Sequence, residues 1–547
     1  MILQENMMKT RPAFLFLGCS LISGLLGWMA WPERGFVPLI FLAFVPVFWM
    51  DYIAASGIAK RSGIRMFGNF FLSMMIWNSL TTWWIWNSSD VGSIVALGLN
   101  SLFMAIIWQL FFITKRQFGS FWGYLSFVLY WIAFEYLHLN WEISWPWLTL
   151  GNVFATKPEW IQWYEFTGSL GGSLWVLLIN ILVFLITKSL WTKDLLIKIR
   201  RINTLVLTAV LLLLVLAPLL GSLYMYRIHK DKGTPVKVAV IQPNIDPYNE
   251  KFKGTGPTQL TKLLRLASTV LDTGTEYVLC PETALPDGIW EENLYTDQEI
   301  QFIKKYIAQY PRLNFITGLS SYKAYGPDEK ISLTARKFKD AESYYDAFNS
   351  AILIDMRDSF QVYHKSRLVP GVEKMPYPKI FGFLESYALS LGGISGSLGT
   401  QDSRTNFVGM DGTLIAPAIC YESIYGDFMA AYMRNGAQFI AILTNDGWWG
   451  NTPGFRQHMN YARLRAVEFR KCVARSANTG ISCFINQRGD IIQQTKWWEE
   501  DAIQQTFLKN NIRTFYAKHG DYLGFIASFF SACALLFMSF RKLINKN

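Results

Sequence analysis

The chain has 547 residues, of which 51% are hydrophobic and only 17% charged, where soluble chains carry about 25% charged residues. That composition excludes an intrinsically disordered protein, and 6 cysteines over this length exclude a small disulfide scaffold. The formal charge of +11 divides into +7 over residues 1–230, +2 over 231–520 and +2 over the last 27, so the polar block is almost neutral and nucleic acid is not an expected partner.

Seven apolar stretches precede residue 230, at about 12–30, 36–55, 66–86, 91–113, 119–138, 169–187 and 203–226, and an eighth covers about 521–540. Each is close to the ~20 residues a helix needs to cross a ~30 Å hydrocarbon core. Asn69, Asn78 and Glu135 interrupt the third and fifth. The seventh ends in LAPLL, where Pro218 is expected near a helix end. Alternate loops carry Lys9 and Arg11, then Lys60, Arg61 and Arg65, then Lys115 and Arg116, then Lys188, Lys193, Lys198, Arg200 and Arg201. The intervening loops hold only Arg34 and Lys157, and the tail adds Arg541, Lys542 and Lys546 to the basic side. By the positive-inside rule both termini are cytoplasmic and the polar block is exported. Three segments follow: a seven-span region at 1–230, an exported domain at 231–518, and a last span with its tail at 519–547. Trp31, Trp83, Trp84, Trp86, Trp141, Trp145 and Trp147 stand near predicted span ends and read as interfacial anchors. The loop from Asn140 to Gly168 is too aromatic for plain coil and is expected in the headgroup layer. WPER after the first stretch argues against a cleaved leader there.

The polar block alternates strand and helix signals. Strands are expected at 237–245, 277–282, 314–319, 347–355, 360–365, 414–422, 437–446, 472–477 and 481–486. Leu260, Leu263, Leu264, Ala267, Val270 and Leu271 form a helical stripe behind Thr255 and Pro257, and 297–310, 424–434 and 455–470 also read as helices. Apolar strands separated by amphipathic helices predict sheets covered by helices.

Three unusual polar residues fall just past buried strands: Glu282 in LCPETALP, Lys365 in YHKSRLVP and Cys420 in PAICYES. Strand ends are where α/β folds build sites. Singly, each also suits a structural role: a turn cap, a solvated lysine, a small buried thiol. Cys420 is the nucleophile type, Glu282 can take its proton, and Lys365 can hold a developing oxyanion, with the Tyr421 N–H as a second donor.

Together these residues resemble the nitrilase, or carbon–nitrogen hydrolase, superfamily, whose Glu, Lys and Cys occur in this order. With spans on both sides the resemblance narrows to the bacterial apolipoprotein N-acyltransferase family, carried by PETALP, YHKSRLVP, ICYES, and NDGWWG followed by QHMNYARLRAVE. It implies a helical membrane bundle of about eight spans joined to a nitrilase-like α-β-β-α sandwich in the bacterial inner membrane, acting as a monomer. It implies a ping-pong reaction: Cys420 takes an acyl chain from a membrane phospholipid, then passes it to the α-amino group of a lipoprotein's diacylglyceryl-cysteine. Glu373 would be a second glutamate lining the site, with Tyr421 and Glu422 supporting the nucleophile. GVEKMP departs from the family's more aromatic run around Glu373, and Tyr248 and Phe252 are the nearest aromatics to a Trp that many relatives carry after the first strand. Trp448 and Trp449 read as a lid or as core.

No cofactor is expected, and the 5 His are scattered without metal-ligand spacing. Among Cys280, Cys420, Cys472 and Cys483 no structural disulfide is expected. Three rivals stay open: a Cys–His dyad through His364 or His458, a membrane-tethered amidase or nitrilase for a small C–N substrate, and a transporter using Asp51 and Glu135. His364 neighbours Lys365 on a strand, so only one of the two can face Cys420.

Overall fold

The computed structural model describes residues 12–33, 35–55, 62–191, 197–251, 254–381 and 397–544. Lys9, Arg11, Arg34, Lys60, Arg61, Lys193, Phe252 and Lys546 lie outside them. The chain divides into two compact units: one holds residues up to Trp83, 91–227 and from Asp521 onward, the other Trp84–Asp90 and Ile228–Gly520.

In the first unit, helices occupy every apolar stretch: α1 (Pro12–Ala30), α2 (Val45–Ile53, after a short turn at Val37–Leu42), α3 (Ser62–Thr82), α4 (Asp90–Phe118), α5 (Ser120–Asn140), α6 (Tyr164–Trp191) and α7 (Ile197–Ile228), with α12 at the C-terminal end (Tyr522–Ile544). Among the described residues five of them, α1, α4, α6, α7 and α12, contain windows long and apolar enough to cross a membrane. The apolar helix across Val37–Ile53 is shorter, and the polar and aromatic residues that interrupt the third and fifth stretches leave α3 and α5 outside that group. Pro218 lies well inside α7, which continues to Ile228, rather than near an end.

Aromatic packing holds this unit together. Phe48 meets Trp108, Tyr124, Phe127 and Phe184 at ring separations of 5.3–5.7 Å, and Phe70 stacks on Trp108 at 4.4 Å. Several presumed anchors are core instead. Trp31 and Trp147 are each 1% exposed and Trp84 is fully buried, whereas Trp83 and Trp86 are exposed. The 140–168 loop likewise folds into short turns with Trp147, Leu148, Leu150, Val153 and Phe154 buried, so packing accounts for much of its aromatic content. Asp51 pairs with Lys115, and Glu135 accepts from Trp131 Nε1 (3.0 Å) and Leu150 N (2.8 Å). Both acids therefore have partners within the helix packing.

The second unit is built on two sheets. Its strands are β1 (Thr234–Gln242), β2 (Tyr277–Leu279), β3 (Leu285–Trp290), β4 (Asn314–Ala324), β5 (Arg336–Lys337), β6 (Tyr344–Ile354), β7 (Gln361–His364), β8 (Phe407–Val408), β9 (Leu414–Ile419), β10 (Phe439–Thr444), β11 (Val473–Ala477), β12 (Cys483–Ile485), β13 (Ile491–Gln494) and β14 (Asp501–Lys509). One sheet runs β14-β1-β2-β4-β6-β5, with β3 on β4 and β7 on β6; the other runs β13-β12-β11-β10-β9-β8. Each has a parallel centre, β1-β2-β4 and β9-β10-β11, whose strands are buried nearly throughout, as helices on the outer faces require. Ser476 Oγ on β11 donates to Ile241 O on β1 (2.8 Å), joining the sheets face to face.

Four helices complete the sandwich: α8 (Gly256–Ser268), α9 (Gln298–Ile307), α10 (Gly426–Arg434) and α11 (Pro453–Phe469). The stripe Leu260, Leu263, Leu264 and Ala267 is buried against Val278, Ile300, Ile303 and Phe315. Every strand and helix read from the polar block is present within a few residues. β3, β5, β8, β13 and β14 were not legible, being short, half-exposed or polar on alternate positions. Cys472 and Cys483 are both free; the register sets Cys483 opposite Arg475, away from Cys472.

Candidate active site

Each of the three residues sits just past a strand: Glu282 three residues after β2, Lys365 directly after β7 and Cys420 directly after β9. Thr283 and Cys420 take positive φ, 46° and 50°, a conformation non-glycine residues adopt at some cost. At Cys420 the chain turns from β9 into a short turn over Cys420–Ile424, so the thiol stands at a sharp strand-to-turn elbow and is 9% exposed.

Lys365 Nζ donates to Glu282 Oε1 (2.9 Å) and Glu373 Oε1 (2.8 Å). Asn349, from β6, donates to the same two oxygens at 2.7 and 3.2 Å, and Val369 N donates to Glu373 Oε2 (2.8 Å). The structure thus brings Glu282, Lys365 and Glu373 into one buried cluster. His364 turns elsewhere, bonding Glu291 through Nε2 (2.7 Å) and stacking on Phe348 at 4.0 Å.

The charges act on one another. Burial opposes the Glu282 carboxylate, but Lys365, Lys251 and Asn349 outweigh it and hold it below the ordinary carboxylate range. Burial likewise opposes the Lys365 ammonium, yet Glu282 and Glu373 push it well above the ordinary lysine value. For Cys420, burial and then the Glu282 charge push the thiol well up, against the pull of Lys365. At neutral pH the site therefore rests as thiol, carboxylate and ammonium. The thiolate forms only when Cys420 hands over its proton, and Glu282 is an ionised acceptor whose charge the thiol feels.

Glu422 ties the elbow to the end of β7. Its Oε1 accepts from Tyr363 OH and Ser366 N, both at 2.7 Å, and its Oε2 from Ile419 N at 2.8 Å. Tyr421 is buried with its ring 5.2 Å from Tyr425. Trp448 and Trp449 lie on the short turn at Asp446–Trp449. Trp449 packs on Trp84 (4.7 Å) and near His458 (5.6 Å), Asn87 Nδ2 donates to Trp449 O (2.8 Å), and Tyr248 OH donates to Trp448 O and Asn87 O.

Four contributors escaped sequence reasoning. Asn349 lies on a strand whose pattern announced only burial, and Lys251 sits in NEKFKG, which reads as solvated turn. The other two, Asp446 and Arg475, form a buried network beneath the elbow with His458, which the sequence offered only as a dyad partner. His458 Nδ1 faces Asp446 Oδ1 (2.9 Å) while its Nε2 faces Cys420 O and Ser423 Oγ, both at 3.2 Å. Arg475 donates to Asp446 Oδ2 (2.6 Å). Asp446 and His458 belong to the NDGWWG and QHMNYARLRAVE motifs, so the motif was the available signal and their function under the nucleophile was not.

A family model described as carbon-nitrogen hydrolase matches residues 237–515, and an apolipoprotein N-acyltransferase N-terminal domain model matches 23–182. Curated relatives include an apolipoprotein N-acyltransferase of Chlorobaculum tepidum, 29% identical with 97% of each chain covered. Another, of Geobacter metallireducens, is 24% identical over 96% of this chain and 95% of its own. Among solved structures, a nitrilase-superfamily protein of Saccharomyces cerevisiae is 15% identical with a TM-score of 0.36, covering 52% of this chain and 93% of its own. The chain belongs to the carbon–nitrogen hydrolase family, in its apolipoprotein N-acyltransferase branch.

Proposed function

We propose that this membrane enzyme N-acylates lipoproteins, taking a fatty acyl chain from a phospholipid through a thioester on Cys420. The acceptor is the free α-amino group of an N-terminal diacylglyceryl-cysteine. The observation that carries the reading is the buried Lys365 held between Glu282 and Glu373, with Cys420 at a strained strand end where its thiol feels both the Glu282 and Lys365 charges, in a chain matched along its length by N-acyltransferases.

In the first half-reaction Glu282 takes the Cys420 proton and the thiolate attacks the ester carbonyl. A C–S bond forms, and the oxyanion is held by the Lys365 ammonium. Collapse breaks the C–O bond, and the departing lysophospholipid oxygen takes the proton from Glu282. In the second, the amine attacks the thioester and Glu282 accepts its proton. The C–S bond breaks and the thiolate recovers that proton. Lys365, kept cationic by two carboxylates, stabilises both tetrahedral intermediates without moving a proton of its own. Both substrates are lipids, which accounts for the apolar helices; the positive-inside pattern assigns the catalytic domain to the exported side of a bacterial inner membrane, with both termini cytoplasmic.

The test is intact-protein mass spectrometry after incubation with phospholipid in detergent. Wild type should gain one fatty acyl chain, labile to hydroxylamine, and C420A and C420S should gain none. A folded wild-type protein that gains nothing, yet hydrolyses simple amides or nitriles, would establish the tethered hydrolase instead.

A further inference from the structure

Lys251 is 3% exposed and lies just past β1, outside every motif that marks the site. Its Nζ donates to Glu282 O (3.2 Å) and to Thr283 Oγ1, so it grips the backbone corner that carries the Glu282 carboxylate. Its own backbone is held in turn: Lys251 N donates to Asp246 O (2.9 Å), and Gln259 Nε2 on α8 donates to Lys251 O (2.7 Å). An ammonium buried this deeply needs a compensating reason, because taking it out of water is costly.

We propose that Lys251 is a positioning residue of the catalytic centre: its ammonium clamps the Glu282–Thr283 corner and supplies, with Lys365, a second positive charge against which the Cys420 thiolate forms. The inference deepens the reading of Cys420 as nucleophile and Glu282 as base, and rests on it. Thr283 takes positive φ at the gripped corner, so the clamp acts where the chain has least intrinsic preference for its conformation.

The titratable groups around Lys251 are Glu282, Cys420 and Lys365, with Asp246 and Glu250 on its own turn. Burial pulls its ammonium down to about 8, against the opposing pull of Glu282 and Cys420 and together with repulsion from Lys365. The sign follows: Lys251 carries its charge below about pH 8 and loses it above. Lys365, raised by two carboxylates, stays charged across the same range. The two lysines are therefore unequal partners, one a fixed charge and the other removable by mild alkali.

The experiment is the rate of Cys420 alkylation by iodoacetamide in the full-length protein in detergent, followed on the Cys420 peptide between about pH 6 and pH 10. Cys280, Cys472 and Cys483 are buried and Cys533 is exposed, so the peptide-level readout is required. K251M should alkylate about tenfold more slowly than wild type near pH 7, and the two rates should converge above about pH 8, where wild type has also lost the charge. K251R, whose charge persists, should outpace wild type above that pH. Should K251M fail to fold, the pH-dependent ratio of K251R to wild type carries the test alone. Equal rates for K251M and wild type at neutral pH, or ratios constant across the range, would overturn the proposal. A purely structural clamp predicts the constant ratio. Alkylation needs no acyl donor, so failure of the phospholipid reading leaves this result interpretable.

Discussion

Gly318 on β4 runs directly beneath the corner that carries Glu282: a Cβ there would stand 2.4 Å from Thr283 N and 2.7 Å from Glu282 Cα. Both neighbours are backbone and cannot swing aside. G318A is expected to displace the Glu282 corner, lowering stability by about 1–3 kcal/mol and slowing Cys420 acylation more than its stability loss explains; denaturant melts and adduct formation on one preparation check both. Beneath Cys420, Asp446 is held well below the ordinary carboxylate range, burial being outweighed by Arg475 and His458. R475M would leave that carboxylate buried without its main partner, at about 3–5 kcal/mol. Since the folded value is depressed, the stability Asp446 contributes is present above its unfolded value near pH 4 and is lost as pH falls through the folded value. Wild type should therefore lose stability more steeply than R475M on acidification below about pH 4, and parallel acid profiles would count against the pair.

The start of α8 shows an element whose sequence signal and tertiary reality differ. Thr255 and Pro257 marked the helix start, and Pro257 does occupy the first turn, but the Thr255 side chain makes no cap bond. Asp287, from β3, reaches across instead, accepting from Gly256 N at 2.9 Å. Glu299, from α9, converges on the same point: a Cβ on Gly256 would meet Glu299 Oε1 at 2.2 Å and Asp287 Oδ2 at 2.5 Å. Two carboxylates so close cannot both ionise cheaply, and Glu299, through burial and then Asp287 and Asp297, is pushed up to about 7. A raised carboxyl contributes stability fully below its unfolded value, and that contribution is lost as pH rises through about 7. E299Q should remove the decline and stabilise the protein at pH 8 by about 1 kcal/mol; an unchanged melting profile between pH 6 and about 8 would refute the raised Glu299 carboxyl. The strands of the two parallel centres were legible because burial on both faces demands continuous apolar runs. β14 was not: its polar positions (Gln504, Gln505, Thr506) and intermediate burial make DAIQQTFLK look like loop, although it pairs along the whole of β1.

For the whole molecule, the proposed topology rests on basic residues concentrated in the sequence around Lys60, Lys115 and Lys193 and toward the C-terminus. A periplasm-dependent reporter fused after residue 230 should be active, and one fused after Arg116 inactive. The reverse pattern would invert the assigned orientation and, with it, the compartment in which acylation takes place. On the proposed reaction, catalysis and membrane embedding meet in one chain because both substrates are lipids, and a thioester shielded from water would pass its acyl chain to an amine before hydrolysis competes.

Several features needed only the sequence. Long apolar stretches must become helices in lipid, where every backbone polar group has to be satisfied internally. The asymmetry of lysine and arginine is what the proposed orientation rests on, and strand-end Glu282, Lys365 and Cys420 stand out because charged or reactive groups are unusual beside buried strands. The tertiary structure decided the rest. Which carboxylate Lys365 meets depends on β7, β2 and the Glu373 turn converging; Asn349 joins them only through the β4–β6 register, which sets it opposite Ser320. Lys251 looks solvated in any window of its neighbours and becomes buried only when α8 and the Glu282 corner close over it. Trp31, Trp84 and Trp147 carry the composition of interfacial anchors, yet burial is a property of what packs against a side chain, and that is written in distant parts of the chain.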